Sequence, residues 1–177
     1  MRRQSGLRSL TSPIILVSSG LVALAFGTAL YLSSGAGETY LRSVTPAWIG
    51  LSFDLAGLLG PLRGPLPAFI HPFAFSLIGM GLFARTRRSR IAICAAFAIM
   101  NLCFELGQGY AEIACRMIPD WFQSVFILEN AKPFFIQGRF SFSDLAAVTI
   151  GSAAALMFAE KIKQERGYDN ECPPQMG

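Results

Sequence analysis

The residues of this sequence that could do chemistry are a few ionisable and amide side chains embedded in long apolar stretches. His71, Glu105 and Asp144 each interrupt such a stretch, and Asn101 and Gln108 flank Glu105. The spacing of Asn101, Glu105 and Gln108 is i, i+4 and i+7, which places all three on one face of a helix. An imidazole, carboxylates and amides can hold a polar ligand by hydrogen bonds, or exchange a proton with it.

Arg139 adds a cation to this set, shortly before Asp144. Its planar guanidinium suits a carboxylate partner or the phosphate of a headgroup. One interpretation is structural: His71 or Arg139 pairs with Glu105 and Asp144 to hold helices in register. However, polar pairs within membranes contribute only about 0.6 kcal/mol, whereas placing a charge there costs about 2.5 to 3.5 kcal/mol. That imbalance favours a functional polar cluster, whose predicted members are His71, Asn101, Glu105, Gln108, Arg139 and Asp144.

The stretches that carry these residues are long enough to cross a membrane. Of the 177 residues, 53% are hydrophobic and 15% charged, a composition too apolar for an ordinary soluble domain. A spanning helix needs about 20 mostly apolar residues, and four such spans are predicted, at about 14–32, 66–84, 91–110 and 141–159. We therefore expect an all-α membrane protein with a four-helix transmembrane bundle at 14–159, an N-terminal segment 1–13 and a C-terminal tail 160–177. Span 1 exceeds the apolar length of a signal peptide, about 7 to 15 residues, so we expect it to be retained.

The basic residues predict the orientation of the spans. Most of the 15 lysines and arginines lie before span 1, between spans 2 and 3, or after span 4. Positively charged flanks stay in the cytoplasm, so both termini are predicted to be cytoplasmic. His71, Glu105 and Asp144 then lie in the outer third of the membrane. These flanks also account for the net charge of +4, and no nucleic-acid partner is expected.

Two long loops on the predicted outer side are rich in apolar and aromatic residues. They run from Tyr40 to Pro65 and from Glu112 to Gln137. Tryptophan and phenylalanine favour the membrane-water interface, which predicts short interfacial helices. Such helices could form a roof over the bundle, or the loops could serve only as anchors.

The cysteines predict no metal site or disulfide within one helix. Cys94 and Cys103 are nine residues apart and lie on opposite faces of a helix. The chain has one His and no CxxC pair, so neither a bound zinc ion nor another cofactor is expected.

The polar cluster also resembles the pattern of a known family, the VanZ-like family of small bacterial membrane proteins. That pattern is a His at the start of one span, Glu-x-x-Gln ending the next, then Gly-Arg, a nearby Asp and small residues deeper in the last span. The family is named for a member associated with resistance to the glycopeptide teicoplanin, so the resemblance implies a role in the bacterial envelope rather than a particular reaction. It covers roughly Leu66 to Met157, and its residues are, in order, His71, Glu105 with Gln108, Gly138 with Arg139, Asp144 and Gly151.

Three functions remain open from the sequence. In the first, the outward-facing cluster binds a polar or lipid-linked envelope ligand, such as a lipid-linked precursor or a glycopeptide, with Arg139 on an anionic headgroup. In the second, Glu105 or Asp144 acts with His71 in acid/base catalysis on a lipid-linked substrate. In the third, the chain is an accessory subunit of a larger complex and contacts a membrane protein partner.

Overall fold

The described part of the chain is helical throughout. The computed structural model describes residues 3–33, 60, 64–126 and 128–171, and no strand occurs among them. The elements in chain order are α1 (Arg3–Ser33), α2 (Pro65–Phe83), α3 (Arg87–Gly109), α4 (Ala111–Met117), a 3-10 helix (Asp120–Ser124), α5 (Ala131–Gln137) and α6 (Phe142–Glu171).

Four of these helices are long and apolar enough to cross a membrane. The candidate spans are Ser12–Leu30, Pro65–Phe83, Arg87–Gly109 and Phe142–Gln164. The predicted all-α fold with four spanning helices is therefore confirmed, and the fold is that of a multi-pass membrane protein. Helix α1 begins already at Arg3 and α6 continues to Glu171, so helix extends into the predicted terminal segments 1–13 and 160–177. Hydropathy locates only the apolar part of a helix, not its ends.

Local sequence explains why α2 and α3 form an antiparallel pair. Pro65 occupies the first turn of α2, where its missing N–H costs nothing. Helix α3 begins with a capping box: the Thr86 side chain accepts a hydrogen bond from the Ser89 N–H at 3.1 Å, and the Ser89 hydroxyl accepts from the Thr86 N–H at 3.0 Å. Only residues 84–86 separate the two helices. Such a short connection forces the chain to reverse, so the N-terminal end of α2 lies beside the C-terminal end of α3.

Helix α2 is packed between α1 and α6. The buried core contains Leu77 and Met80 of α2, Leu16 of α1, and Ala155 and Ala159 of α6. The small side chains of Ala155 and Ala159 allow the backbones of α2 and α6 to come close.

The crossing of α2 and α6 depends on a glycine. A Cβ added at Gly151 would collide with the backbone carbonyl oxygen of Phe69. This contact holds the first half of α6 against the first half of α2. The N-terminal ends of α2 and α6 consequently lie at the same end of the bundle, which we call the site end.

The opposite end of the bundle is joined by an ion pair. Arg90 Nε of α3 donates a hydrogen bond to Glu160 Oε1 of α6 at 3.0 Å, and Arg90 is buried. One helical turn further in, Cys94 Sγ donates to the Ser152 carbonyl oxygen at 2.9 Å. Cys94, Cys103 and Cys115 are free thiols.

The second of the two long loops forms short helices at the site end. The predicted interfacial segment Tyr40–Pro65 lies almost entirely outside the described residues. The segment Glu112–Gln137 contains short helices, as predicted, in α4, the 3-10 helix and α5. Helix α5 packs against α3 through aromatic contacts, with the Phe104 and Phe135 rings 6.1 Å apart between centroids. This segment therefore folds back over the site end.

Candidate functional site

A cavity of about 560 Å³ opens at the site end. We call it the polar cavity, because four members of the predicted polar cluster line it: His71 from α2, and Asn101, Glu105 and Gln108 from α3. The loop before α5 contributes a fifth polar residue, Asn130. The remaining lining residues are apolar: Pro67, Ala68, Phe104, Leu128, Ala131, Phe134, Phe135 and Val148.

Glu105 is the buried acid of this cavity. Only 8% of its surface is exposed, and its Oε1 accepts a hydrogen bond of 2.6 Å from the backbone N–H of Ser141. Ser141 immediately precedes α6, so this bond ties the start of α6 to α3. Among the described residues, no Lys, Arg or His forms an ion pair with Glu105. The structural interpretation, in which His71 or Arg139 neutralises Glu105, is therefore not what these residues show.

The hydrogen bond of the His71 ring shows which of its nitrogens carries a hydrogen. Nδ1 lies 2.8 Å from the carbonyl oxygen of Pro67, one turn earlier in α2. A carbonyl oxygen can only accept, so Nδ1 carries the hydrogen. The ring also stacks on Phe75, with centroids 6.3 Å apart. In the neutral ring, Nε2 is therefore an acceptor and is the nitrogen left for a ligand.

Asn101 and Gln108 are positioned by different contacts. Asn101 Nδ2 donates to the Phe97 carbonyl oxygen at 2.8 Å, which leaves its Oδ1 for the cavity. Gln108 packs directly on Gly138, where an added Cβ would lie 2.5 Å from the Gln108 Cδ atom. A larger residue at position 138 would push the amide aside, so the two residues specify each other.

Pro72 leaves one backbone carbonyl of α2 without its helical hydrogen bond. It lies inside α2 and has no N–H, so the carbonyl oxygen of Ala68, four residues earlier, lacks its usual helical partner. Ala68 lines the polar cavity. The local sequence signal for this acceptor, a proline within a span, is readable without the structure.

Arg139 and Asp144 do not line the polar cavity. Arg139 is exposed and, within the described part of the chain, forms no ion pair. Asp144 is half-buried in the first turn of α6, and its backbone N–H lies 3.4 Å from the Ser141 Oγ that caps it. A carboxylate in that position interacts favourably with the helix dipole. The structure thus brings four predicted residues together and places the other two beside them.

Three aromatic rings form one wall of the polar cavity. The Phe104 ring lies 5.9 Å from that of Phe134 and 6.1 Å from that of Phe135, and the last two are 5.2 Å apart. Sequence reasoning did not assign these rings or Asn130 to the site. The only signal was the aromatic density of the segment Glu112–Gln137.

A second cavity adjoins the polar cavity across Phe135, which lines both. Its volume is about 380 Å³, and we call it the apolar cavity because its lining is almost wholly apolar, from Cys103 and Leu106 of α3 to Met117 and Phe122. Phe135 packs on Gly107, where an added Cβ would lie 2.5 Å from the ring. One ring therefore separates a polar from an apolar space.

The electrostatics of the segment Glu112–Gln137 differ from those of the polar cavity. No Lys or Arg in the described part of the chain lines the polar cavity, whereas the surface beside α4 and α5 carries the ion pairs Arg116–Glu112, at 2.7 Å, and Lys132–Asp120, at 2.8 Å. The hydrogen bond and charge of Lys132 lower the pKa of Asp120 below its ordinary value. Among the described residues, no three His, Cys, Asp or Glu side chains are grouped as a metal site would require.

Comparisons with known proteins provide no assignment. Neither family models, nor curated proteins, nor solved structures give a match to the chain. Function is therefore inferred from the side chains of the cavities themselves.

Proposed function

We propose that this chain is a VanZ-like protein of the bacterial cytoplasmic membrane whose polar cavity binds a polar or lipid-linked envelope ligand. The observation that carries the proposal is the convergence of His71, Asn101, Glu105 and Gln108 on one cavity. These side chains come from two spans, and polar groups within spans are costly unless they serve a purpose. A cavity that offers a few convergent polar groups within an apolar wall is the usual form of a ligand site.

The adjoining apolar cavity favours an amphipathic ligand. It shares Phe135 with the polar cavity, so a headgroup and an acyl or isoprenoid chain could occupy neighbouring spaces. The chain of a lipid already lies in an apolar medium in the bilayer, so the second space would add affinity through van der Waals packing. A lipid-linked ligand uses both spaces, whereas a small soluble ligand uses only one.

The resemblance to the VanZ-like family gains support from a contact between its motifs. Gln108 of the Glu-x-x-Gln pair packs on Gly138 of the Gly-Arg pair, and Glu105 binds the backbone between Arg139 and Asp144. Residues that are far apart in the sequence pattern thus lie in contact in the fold. By the positive-inside rule the site end faces outward, where envelope precursors and glycopeptides meet the membrane. This is the basis for proposing a link to glycopeptide response.

Replacing Glu105 with Gln tests the proposal. Gln retains the Oε1 acceptor for Ser141 but removes the carboxylate, so the bundle should persist while ligand binding weakens. Lipids that co-purify with the protein are measured by native mass spectrometry, and glycopeptide susceptibility is measured in cells that express it. The matched control is Glu112→Gln, at an exposed acid outside the polar cavity. Equal lipid retention and equal susceptibility in both variants would refute the proposed function.

Acid/base catalysis in the same cavity is a second candidate function. The observation that favours it is that a buried carboxyl group and the free Nε2 of His71 line one space. Such a pair can accept and return a proton. Incubation of the purified protein with lipid-linked envelope substrates, followed by mass spectrometry, should then show a product that His71→Gln abolishes. If the substrates bound without being converted, catalysis would be refuted and only the ligand-binding function would stand.

A further inference from the structure

Three side chains of the polar cavity offer hydrogen-bond acceptors to a ligand, beside the N–H donors of the Gln108 and Asn130 amides. Nδ1 of His71 and Nδ2 of Asn101 each donate to a backbone carbonyl. Nε2 of the neutral His71 ring and Oδ1 of Asn101 therefore remain as acceptors for a ligand. Glu105 uses Oε1 for the Ser141 N–H and retains Oε2. A ligand that satisfies them must carry several N–H or O–H donors.

The charges that line the polar cavity restrict the class of ligand further. Among the described residues, Glu105 is the acid that lines the polar cavity, and no Lys or Arg lines it. A buried carboxylate without a cationic partner carries a large desolvation cost, which a bound cation would offset. An anionic headgroup would instead place a second negative charge beside the first. The cavity therefore favours a cation over a phosphate or carboxylate ligand.

The aromatic wall of the polar cavity also favours a cation as ligand. The faces of Phe104, Phe134 and Phe135 carry negative partial charge, and cations are attracted to such faces within about 6 Å of the ring centre. The three rings contact one another at right angles or stacked, so they form one continuous aromatic surface. The three rings line the same cavity as Glu105, His71 and Asn101, so a small cation there could contact both kinds of group.

From these observations we infer that the ligand group held in the polar cavity is a primary ammonium, bound by Glu105, His71 and Asn101 against the phenylalanine wall. The inference rests on the proposed function, because it names the chemical class of ligand for the same cavity. A primary ammonium has three N–H donors for the available acceptors, whereas a quaternary ammonium has none. Two sources share this chemistry: an ethanolamine lipid headgroup and a free soluble amine.

The test is lipid competition on the full-length protein in detergent, measured by native mass spectrometry. Four lipids with identical acyl chains are supplied together: phosphatidylethanolamine, phosphatidylcholine, phosphatidylglycerol and a monoglucosyl diacylglycerol. The expected result is preferential binding of phosphatidylethanolamine. Because a hydrogen bond to a charged group contributes about 1.5 to 3 kcal/mol, Glu105→Gln should weaken that binding at least about tenfold.

Two further variants guard against loss of the fold. Phe134→Leu removes one aromatic face at a half-exposed position and should weaken phosphatidylethanolamine binding without affecting the hydrogen bonds. Glu112→Gln, outside the cavity, should leave binding unchanged. Soluble ethanolamine at millimolar concentration then distinguishes the sources: displacement of the lipid shows that the free amine is sufficient, and retention of the lipid shows that the lipid is the source.

The failures of the two proposals are distinguishable. Two results would overturn the ammonium inference but support a ligand site. One is equal binding of phosphatidylcholine and phosphatidylethanolamine that Glu105→Gln abolishes. The other is a preference for the phosphoglycerol or glucosyl lipid that Glu105→Gln abolishes. Lipid binding that is the same in the wild type, Glu105→Gln and Phe134→Leu would overturn both.

Discussion

Three polar side chains of the polar cavity each use one atom to bind the backbone and keep another for a ligand. Glu105 binds Ser141 N–H, while His71 binds the Pro67 carbonyl oxygen and Asn101 that of Phe97. The anchoring bonds fix the side chains before any ligand arrives. A site arranged in this way loses less conformational entropy on binding than one whose side chains must first be ordered.

At the scale of single residues, Gly138→Ala tests the position of the Gln108 side chain. The new Cβ would lie 2.5 Å from the end of a flexible side chain, so the Gln108 amide should swing away while the helices remain packed. We expect ligand retention to fall several-fold and the free energy of unfolding to change by less than about 1 kcal/mol.

The control is Gly64→Ala, because no atom lies within 4 Å of a Cβ added there. Lipid retention by mass spectrometry and thermal unfolding in detergent provide the two measurements. A large loss of stability in Gly138→Ala with unchanged lipid retention would contradict the assigned role of the glycine.

At the scale of elements, how far the site could be read from the sequence depends on how local each contact is. The shared face of Asn101, Glu105 and Gln108 follows from helical spacing, and the four spans follow from the length of the apolar runs. The contribution of Asn130 and Phe134 could not be predicted, because it depends on the path of the segment that returns from α4 to α6. The same path leaves Arg139 exposed, so a cation that the sequence placed in the cluster lies outside the cavity.

The position of α5 over the polar cavity is stabilised by an ion pair that responds to pH. Lys132, in α5, lowers the pKa of Asp120, in the 3-10 helix, so the folded state has the lower pKa and the unfolded chain the ordinary value near ~3.9. The stabilisation is present above the unfolded value and is lost as the pH falls through the folded one. Wild type should therefore have a slightly higher Tm than Asp120→Asn near neutral pH, and the difference should vanish in acid.

The size of this effect is small, because Asp120 is fully exposed and the pair is screened by salt. Measurements of Tm against pH at low ionic strength resolve it best. Glu129→Gln is a suitable control, since Glu129 is an exposed acid of the same segment that forms no ion pair with any described residue. A Tm difference for Asp120→Asn that grows as the pH falls would show the opposite sign and contradict the assignment.

At the scale of the whole molecule, the two ends of the bundle carry different chemistry. The site end holds a buried acid whose partner is a backbone N–H, whereas the opposite end holds Arg90 and Glu160 as an ion pair between α3 and α6. The partners of that pair are 70 residues apart, so sequence reasoning treated Arg90 only as a charge that orients the chain. With the opposite end joined by side chains and the site end held by the Ser141 bond, α6 is attached to α3 at both ends. The polar cavity lies between these helices and α2, so its shape depends on both attachments.

Glu160→Ala tests the attachment at the opposite end, because it leaves the Arg90 guanidinium buried without its partner. Breaking a fully buried pair costs about 3 to 5 kcal/mol, and an exposed pair contributes under about 1 kcal/mol. The side chains of Arg90 and Glu160 are 9% and 32% exposed, so an intermediate loss of about 2 kcal/mol in unfolding free energy is expected. Glu112→Ala, which breaks the exposed pair with Arg116, should cost less than about 0.5 kcal/mol. If denaturation in detergent gave equal losses for the two variants, the Arg90–Glu160 contact would not be holding α6 to α3, and the cavity would have to be supported from the site end alone.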